Sequence, residues 1–258
     1  MQPTITIEKR TTGRRERRRM ETREKIFRAA MQLFAERGFF QTTTEDITEA
    51  ADVGQGTFFN YFPTKQHVLT VLSEKQMGWA MLARQEADAG KLTIHNVLNR
   101  LMHNIAREPG KSQALTRSLM TAFLSNDEVR QFVRDNMARG RENLGEIVKL
   151  GQQRGELRPD LKPSDVAMTF QRNVIGTLLL WAMQTEGDLD AWIEKTFYDF
   201  WSAVESRQQV IRHSEAAAGD RLSATADLRQ ERNNNSSRES SSSRNRPKNR
   251  GRNGQAVS

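Results

Sequence analysis

The sequence predicts an all-α protein. It should have an N-terminal group of three short-linked helices, a larger C-terminal set of helices and a basic tail without stable structure. Three observations predict this. Between positions 20 and 206 apolar residues recur at helical spacing, punctuated by capping residues, Gly and Pro. Strand-type alternation occurs only at Thr4 to Ile7, with nothing to pair against. From about Ser214 the periodicity fades into Asn, Ser and Arg runs such as Ser240 to Ser243. Such a segment buries too little apolar surface to offset its ordering entropy, so it is expected to be disordered.

Each helix has its own local reasons. Ile26, Ala30, Leu33 and Phe34 form one apolar stripe on the first helix, and Gly38 stops it. Thr43 with Asp46 marks the next start: the hydroxyl oxygen accepts an orphan N–H, and the carboxylate complements the positive helix end. Ile47 and Ala51 give this short second helix an inner face. Asp52-Val53-Gly54 breaks it, and a third short helix runs from about Gln55 to Tyr61. Pro63 ends that helix, because the residue before a proline is biased away from the αR conformation. Thr64 is expected to cap a fourth helix, Lys65 to Ala89, carrying Val68, Leu72, Trp79 and Ala83. Thr93, Ser112 and Asn126 cap the fifth, sixth and seventh helices, with Pro109-Gly110 and Gly155 as stops. Ser164-Asp165 opens the eighth and most apolar helix, Ser164 to Thr185. Gly187-Asp188 separates it from the last, Leu189 to Ser206.

Composition excludes several function classes. The 258 residues contain no cysteine, which removes disulfides, thiolate catalysis and Cys-type zinc sites. No two of the four histidines lie four residues apart, so a helical His-x-x-x-His metal site is excluded and no metal or cofactor is expected. No segment approaches the roughly 20 apolar residues of a membrane span. The N-terminus lacks the apolar stretch of a signal peptide, so a cytoplasmic protein is expected. No nucleophile elbow, phosphate loop or His–carboxylate pattern points to an enzyme. The net charge of +8 is uneven: residues 1–25 carry +5 and residues 207–258 carry +6, which leaves −3 for the body. Two basic ends on a mildly acidic body favour a polyanionic partner; the competing explanation is solubility alone.

Residues 42–65 place a helix, a tight turn and a second helix beside a basic arm, the layout of a helix-turn-helix. Here the resemblance becomes specific. Phe34, Gly38-Phe39, Thr42-Thr43, Asp46-Ile47, Ala51, Val53, Gly56-Thr57, Phe59, Tyr61-Phe62, Lys65 and Leu69 run in the order and spacing of the TetR family signature. The segment Thr22 to Leu72 resembles that family's DNA-binding domain. The helical remainder is similar to its ligand-binding and dimerisation domain. Three positions depart from the pattern: Asp52 replaces a turn Gly, Phe59 replaces a frequent Tyr, and Gly54 replaces a Ser-type cap. The resemblance divides the chain into a basic arm (1–19), a helix-turn-helix domain (20–66), an effector and dimerisation domain (67–206) and a basic tail (207–258). It implies a regulator of transcription, most often a repressor released from a palindromic operator by a small molecule.

The third helix would then read DNA. Gln55 and Asn60 each offer a donor and an acceptor to a base edge, which suits adenine. Gly56 permits close approach, and Thr57 can meet a thymine methyl or a phosphate. Thr43, Thr44, Tyr61 and Lys65 resemble the family's phosphate contacts, which fix register without reading sequence. Bland alternatives stand beside these roles: Thr43 as a cap alone, Phe59 and Tyr61 as core, and Lys65 as merely solvated. The five arginines of Arg14 to Arg19 either follow the phosphates or extend the first helix.

The resemblance places an effector among the later helices, between Leu98 and Met183. Met102, Met120, Phe123 and Met137 could line an apolar pocket, or simply fill a core. The signal would travel along the fourth helix, through Trp79 and Leu82. Gly176, Leu179, Leu180, Phe197, Phe200 and Trp201 offer an apolar surface for a homodimer, or complete the monomer core. The competing function is a nucleic-acid-binding protein that acts mainly through its Arg/Ser/Asn-rich tail.

Overall fold

The computed structural model describes residues 5–206, with side chains from Gly13 onward; the tail expected to be disordered lies outside the described residues. Nine α-helices make up most of them: α1 Ile5–Arg37, α2 Thr44–Ala50, α3 Gln55–Tyr61, α4 Leu69–Ala89, α5 Ile94–Ala106, α6 Gln113–Ser125, α7 Asp127–Gln153, α8 Pro163–Ala182 and α9 Leu189–Val204. Among the described residues there is no strand, only an isolated bridge between Leu157 and Glu205. None of these helices is long and apolar enough to cross a membrane.

Most capping expectations hold. Thr43, Thr93, Ser112 and Asn126 each accept a backbone N–H at the start of α2, α5, α6 and α7. Gly38 ends α1 at φ +85°, a conformation that only glycine adopts without cost. Three boundaries differ. First, α1 runs from Ile5 rather than from near position 20, so Ile5 to Ile7 and the Arg14–Arg19 run are helical. Arg, Glu and Met are strong helix formers, and Arg17 and Glu21 form an i,i+4 pair at 3.7 Å. Second, Thr64 caps no α-helix. Its hydroxyl meets His67 Nδ1 at 2.8 Å, Lys65–Val68 form a 3-10 turn, and α4 starts only at Leu69. Third, α8 starts at Pro163, whose fixed φ suits a first helical turn, and ends at Ala182.

Two hydrophobic cores organise the molecule. One joins α4, α5, α7, α8 and α9 around Leu98, Ile147, Phe170 and Phe197. The other gathers Phe27, Phe34, Phe39, Ile47, Phe58 and Phe62 of the first three helices and their loops. Fully burying such side chains contributes roughly 1.5–3 kcal/mol each. This second core does not close at residue 66. Leu115, Leu119 and Ala122 of α6 and Val129 of α7 complete it. Polar clasps add to the joint with α4: Arg23 donates to both Glu74 oxygens at 2.6 and 2.7 Å, and Lys75 pairs with Glu24 at 3.0 Å. Burial raises the Glu24 pKa, but Lys75 and Arg28 outweigh it and hold the carboxyl below its ordinary value.

Candidate nucleic-acid interface and ligand cavity

The start of α2 is locked by a reciprocal cap. Thr43 Oγ1 accepts from the Asp46 N–H at 3.1 Å, and the Thr43 N–H donates to Asp46 Oδ2 at 2.8 Å. That backbone donor, followed by the Thr43 hydroxyl and Arg37, holds the Asp46 carboxyl below its ordinary pKa. Thr43 is exposed and Thr44 half-buried at this helix end, where N–H groups and the dipole favour an anion. The turn to α3 passes through Asp52 at φ +46°, the left-handed region that Asp tolerates better than most residues. Its carboxylate meets Lys25 at 3.3 Å. Gly54 then caps α3 without a side-chain bond.

One buried residue, Phe58, anchors α3. Its ring packs on Phe62, with 5.8 Å between centroids. The opposite face presents Gln55, Gly56, Phe59 and Asn60 to solvent, a single stripe at i, i+1, i+4 and i+5. The alternative of Phe59 as core is therefore corrected: it is 47% exposed, and Phe58 takes the inner position. Gln55 Nε2 donates to Glu45 Oε1 at 3.1 Å, which ties the start of α3 to the first turn of α2. Thr57 is half-buried, and so is Tyr61, which packs against the second core.

Lys65 is neither free nor merely solvated. Its ammonium donates to the carbonyls of Phe39 and Thr42, both at 2.7 Å, and lies 4.6 Å from the centre of the Phe39 ring. Burial lowers its pKa, and the nearby Asp46 charge opposes that shift. An ammonium has three N–H donors, so one remains for a further acceptor.

Farther along the chain, a cavity of about 140 Å³ lies between α4, α5, α6, α7 and α8. Met120, Phe123 and Met137 line it. Met102 does not: it faces the first core, 1% exposed, and its neighbour Leu101 lines the cavity instead. On α4 the lining residues are Leu69, Leu72, Ser73, Gln76, Met77 and Ala80, so the expected contact through Trp79 and Leu82 is corrected to the half nearer the helix-turn-helix. The few polar groups are neutral, among them Gln76, Asn136 and Gln171.

The expected dimer surface is only partly available. Phe197, Phe200 and Trp201 are buried in the monomer's own core, at 2, 3 and 8% exposure. Leu179 and Leu180 are exposed, and Met183 and Tyr198 join them at 70 and 71%. Those last two went unnoticed in the sequence, because a solvent-facing Met or Tyr at helical spacing looks like core.

Residues 26–72 match the family described as bacterial regulatory proteins, tetR family, and residues 92–195 match the tetracyclin repressor-like C-terminal domain. Among curated proteins, the probable acrEF/envCD operon repressor of Escherichia coli is 25% identical over 177 residues, covering 65% of this chain and 79% of that protein. The regulator TcmR of Streptomyces glaucescens is 26% identical over 187 residues, covering 69% and 81%. Among solved structures, FadR of Thermus thermophilus in complex with lauroyl-CoA is 32% identical with a TM-score of 0.51, covering 69% of this chain and 92% of that one. FadR of Bacillus subtilis in complex with stearoyl-CoA shares the fold at 23% identity and a TM-score of 0.57, covering 69% and 97%.

Proposed function

The chain belongs to the TetR family of transcriptional regulators, and from that premise we propose that it is a repressor which grips a palindromic operator as a homodimer and releases it when an effector fills the cavity. The observation that carries the DNA half is α3. Phe58 fixes its inner side, while Gln55, Gly56, Phe59 and Asn60 are exposed on the outer one. In a two-fold dimer two such helices would enter successive major grooves about 34–36 Å apart. The exposed Leu179, Leu180, Met183 and Tyr198 supply the apolar surface for that pairing. The protein acts where its operator lies, in the cytoplasm, and regulates rather than catalyses.

The effector is a molecule with an apolar acyl portion. Lauroyl-CoA and stearoyl-CoA occupy two FadR relatives, and the cavity lining here is almost wholly apolar. A cavity near 150 Å³ holds about one benzene ring. An acyl chain therefore has to displace Met77, Met120 and Met137, which are flexible enough to move. They sit on α4, α6 and α7. Leu119 of α6 lines the cavity and also belongs to the core of the helix-turn-helix, so strain reaches the DNA-binding unit through α6 as well as α4. Coupling of about 1–3 kcal/mol changes operator affinity some 5–150-fold. Fluorescence anisotropy of an operator duplex titrated with lauroyl-CoA tests this. Release supports it; unchanged affinity with a bound acyl ligand would remove the repressor–effector link.

A further inference from the structure

A polar groove of about 920 Å³ runs between α4, α7 and the start of α8. It adjoins the apolar cavity, because the Met77 side chain lines both. Four cations line the groove, Arg139, Arg141, Lys149 and Arg172, against Glu142, Glu146 and Asp165. Glu146 is already engaged by Lys149 at 2.7 Å and by Arg84 at 3.8 Å. Among the described residues none of the three groove arginines is ion-paired with a carboxylate. Two of them reach the cavity's own wall instead. Arg141 Nη1 donates to Gln171 Oε1 at 2.8 Å, and Arg139 donates to Asn136 Oδ1. Gln171 and Asn136 both line the cavity. Asn136 Nδ2 is buried there without a partner, a costly state unless an acceptor meets it.

We infer that this groove is the head-group subsite of the effector, taking the phosphate-bearing head of an acyl ligand whose chain lies in the apolar cavity. The inference rests on the effector proposed above and adds to it. Guanidinium forks match phosphate oxygens in bidentate fashion, and an anion offers a far stronger partner than the neutral amide oxygens that Arg139 and Arg141 now hold. Asn136 Nδ2 stands in the cavity wall beside this junction, able to donate to an ester or thioester carbonyl. The groove is several times larger than the cavity, which fits a head with more than one phosphate. Head binding also draws Arg141 away from Gln171, loosening a contact between α7 and α8.

Calorimetric titration of the full chain with lauroyl-CoA, 1-lauroyl-lysophosphatidate and dodecanol separates head from tail. The subsite predicts that both phosphates bind at least tenfold tighter than dodecanol and weaken as salt rises. It predicts that Arg139→Gln and Arg172→Gln each lower lauroyl-CoA affinity roughly tenfold and leave dodecanol unchanged. Arg172 makes no described hydrogen bond, so Arg172→Gln remains informative if Arg139→Gln folds poorly. Either ranking of the two phosphates supports the subsite and identifies the source of the head. Lauroyl-CoA binding no tighter than dodecanol, or unchanged in both variants, overturns the subsite alone. If none of the three ligands binds, the acyl-effector proposal falls and the subsite with it.

Discussion

Replacing Lys65 by Met separates two jobs that one ammonium performs. The native side chain clasps the Phe39 and Thr42 carbonyls at 2.7 Å and holds the loop between α1 and α2. Hydrogen bonds to charged groups contribute about 1.5–3 kcal/mol each. Burial offsets part of this, as the lowered pKa indicates, and methionine keeps the stem packed beside Phe39. A net loss of about 2–3 kcal/mol follows, which lowers the melting temperature by roughly 4–12 °C for a chain of this size. The third N–H is left for a phosphate, so affinity should fall on every duplex while the preferred site stays the same. The slope of log affinity against log salt should shrink by about one. Circular dichroism melts and anisotropy at several salt concentrations measure both effects. An unchanged melting temperature would refute the anchoring role. Weaker binding with an unchanged salt slope would refute the phosphate contact.

Further outcomes follow from the same geometry. Gln55→Ala and Asn60→Ala should each relax sequence preference by about 1–3 kcal/mol of discrimination without changing the salt slope. Phe59→Ala should weaken the preference for thymine over deoxyuridine within the half-site, because the base-edge feature an exposed phenyl ring on α3 can read is the methyl group. Asp46→Asn should destabilise the protein at pH 7: a depressed carboxyl contributes stability above its unfolded pKa and loses it as pH falls through the folded one. The difference from wild type in thermal melts should therefore begin to shrink only below about pH 4 and close at a still lower pH, beneath the depressed folded pKa. Met120→Trp should fill the cavity, lowering lauroyl-CoA affinity at least tenfold while operator binding persists, as titration of each ligand would show. Deleting residues 207–258 should weaken DNA binding at low salt and leave the selected site unchanged.

The parts of this molecule legible in the sequence are those fixed by near neighbours. Thr43 with Asp46, Gly38, Ser112 and Asn126 act within a turn of their own position, and their caps and stops stand where the residue types place them. Register on a helix is different. Phe58 and Phe59 are adjacent and equally apolar, and only the packing of α3 into the second core decides which one faces out. The same ambiguity exchanged Met102 for Leu101 at the cavity, and left open whether Phe197, Phe200 and Trp201 face a partner or the monomer's own core. The closing of the second core by α6 was not visible either, since Leu115 and Leu119 are an ordinary stripe until the fold brings them to Phe27 and Phe34. Lys65 shows the limit most plainly. Its resemblance to a phosphate contact is local, whereas its two carbonyl partners lie 23 and 26 residues away.

Selection of bound duplexes from a random DNA pool by the full chain tests the DNA-binding function most directly. The structure predicts an enriched inverted repeat, its half-site centres about one helical turn apart, and loss of that enrichment with Gln55→Ala and Asn60→Ala combined. A pool with no common site, or one unchanged by those substitutions, would contradict α3 as the reading helix.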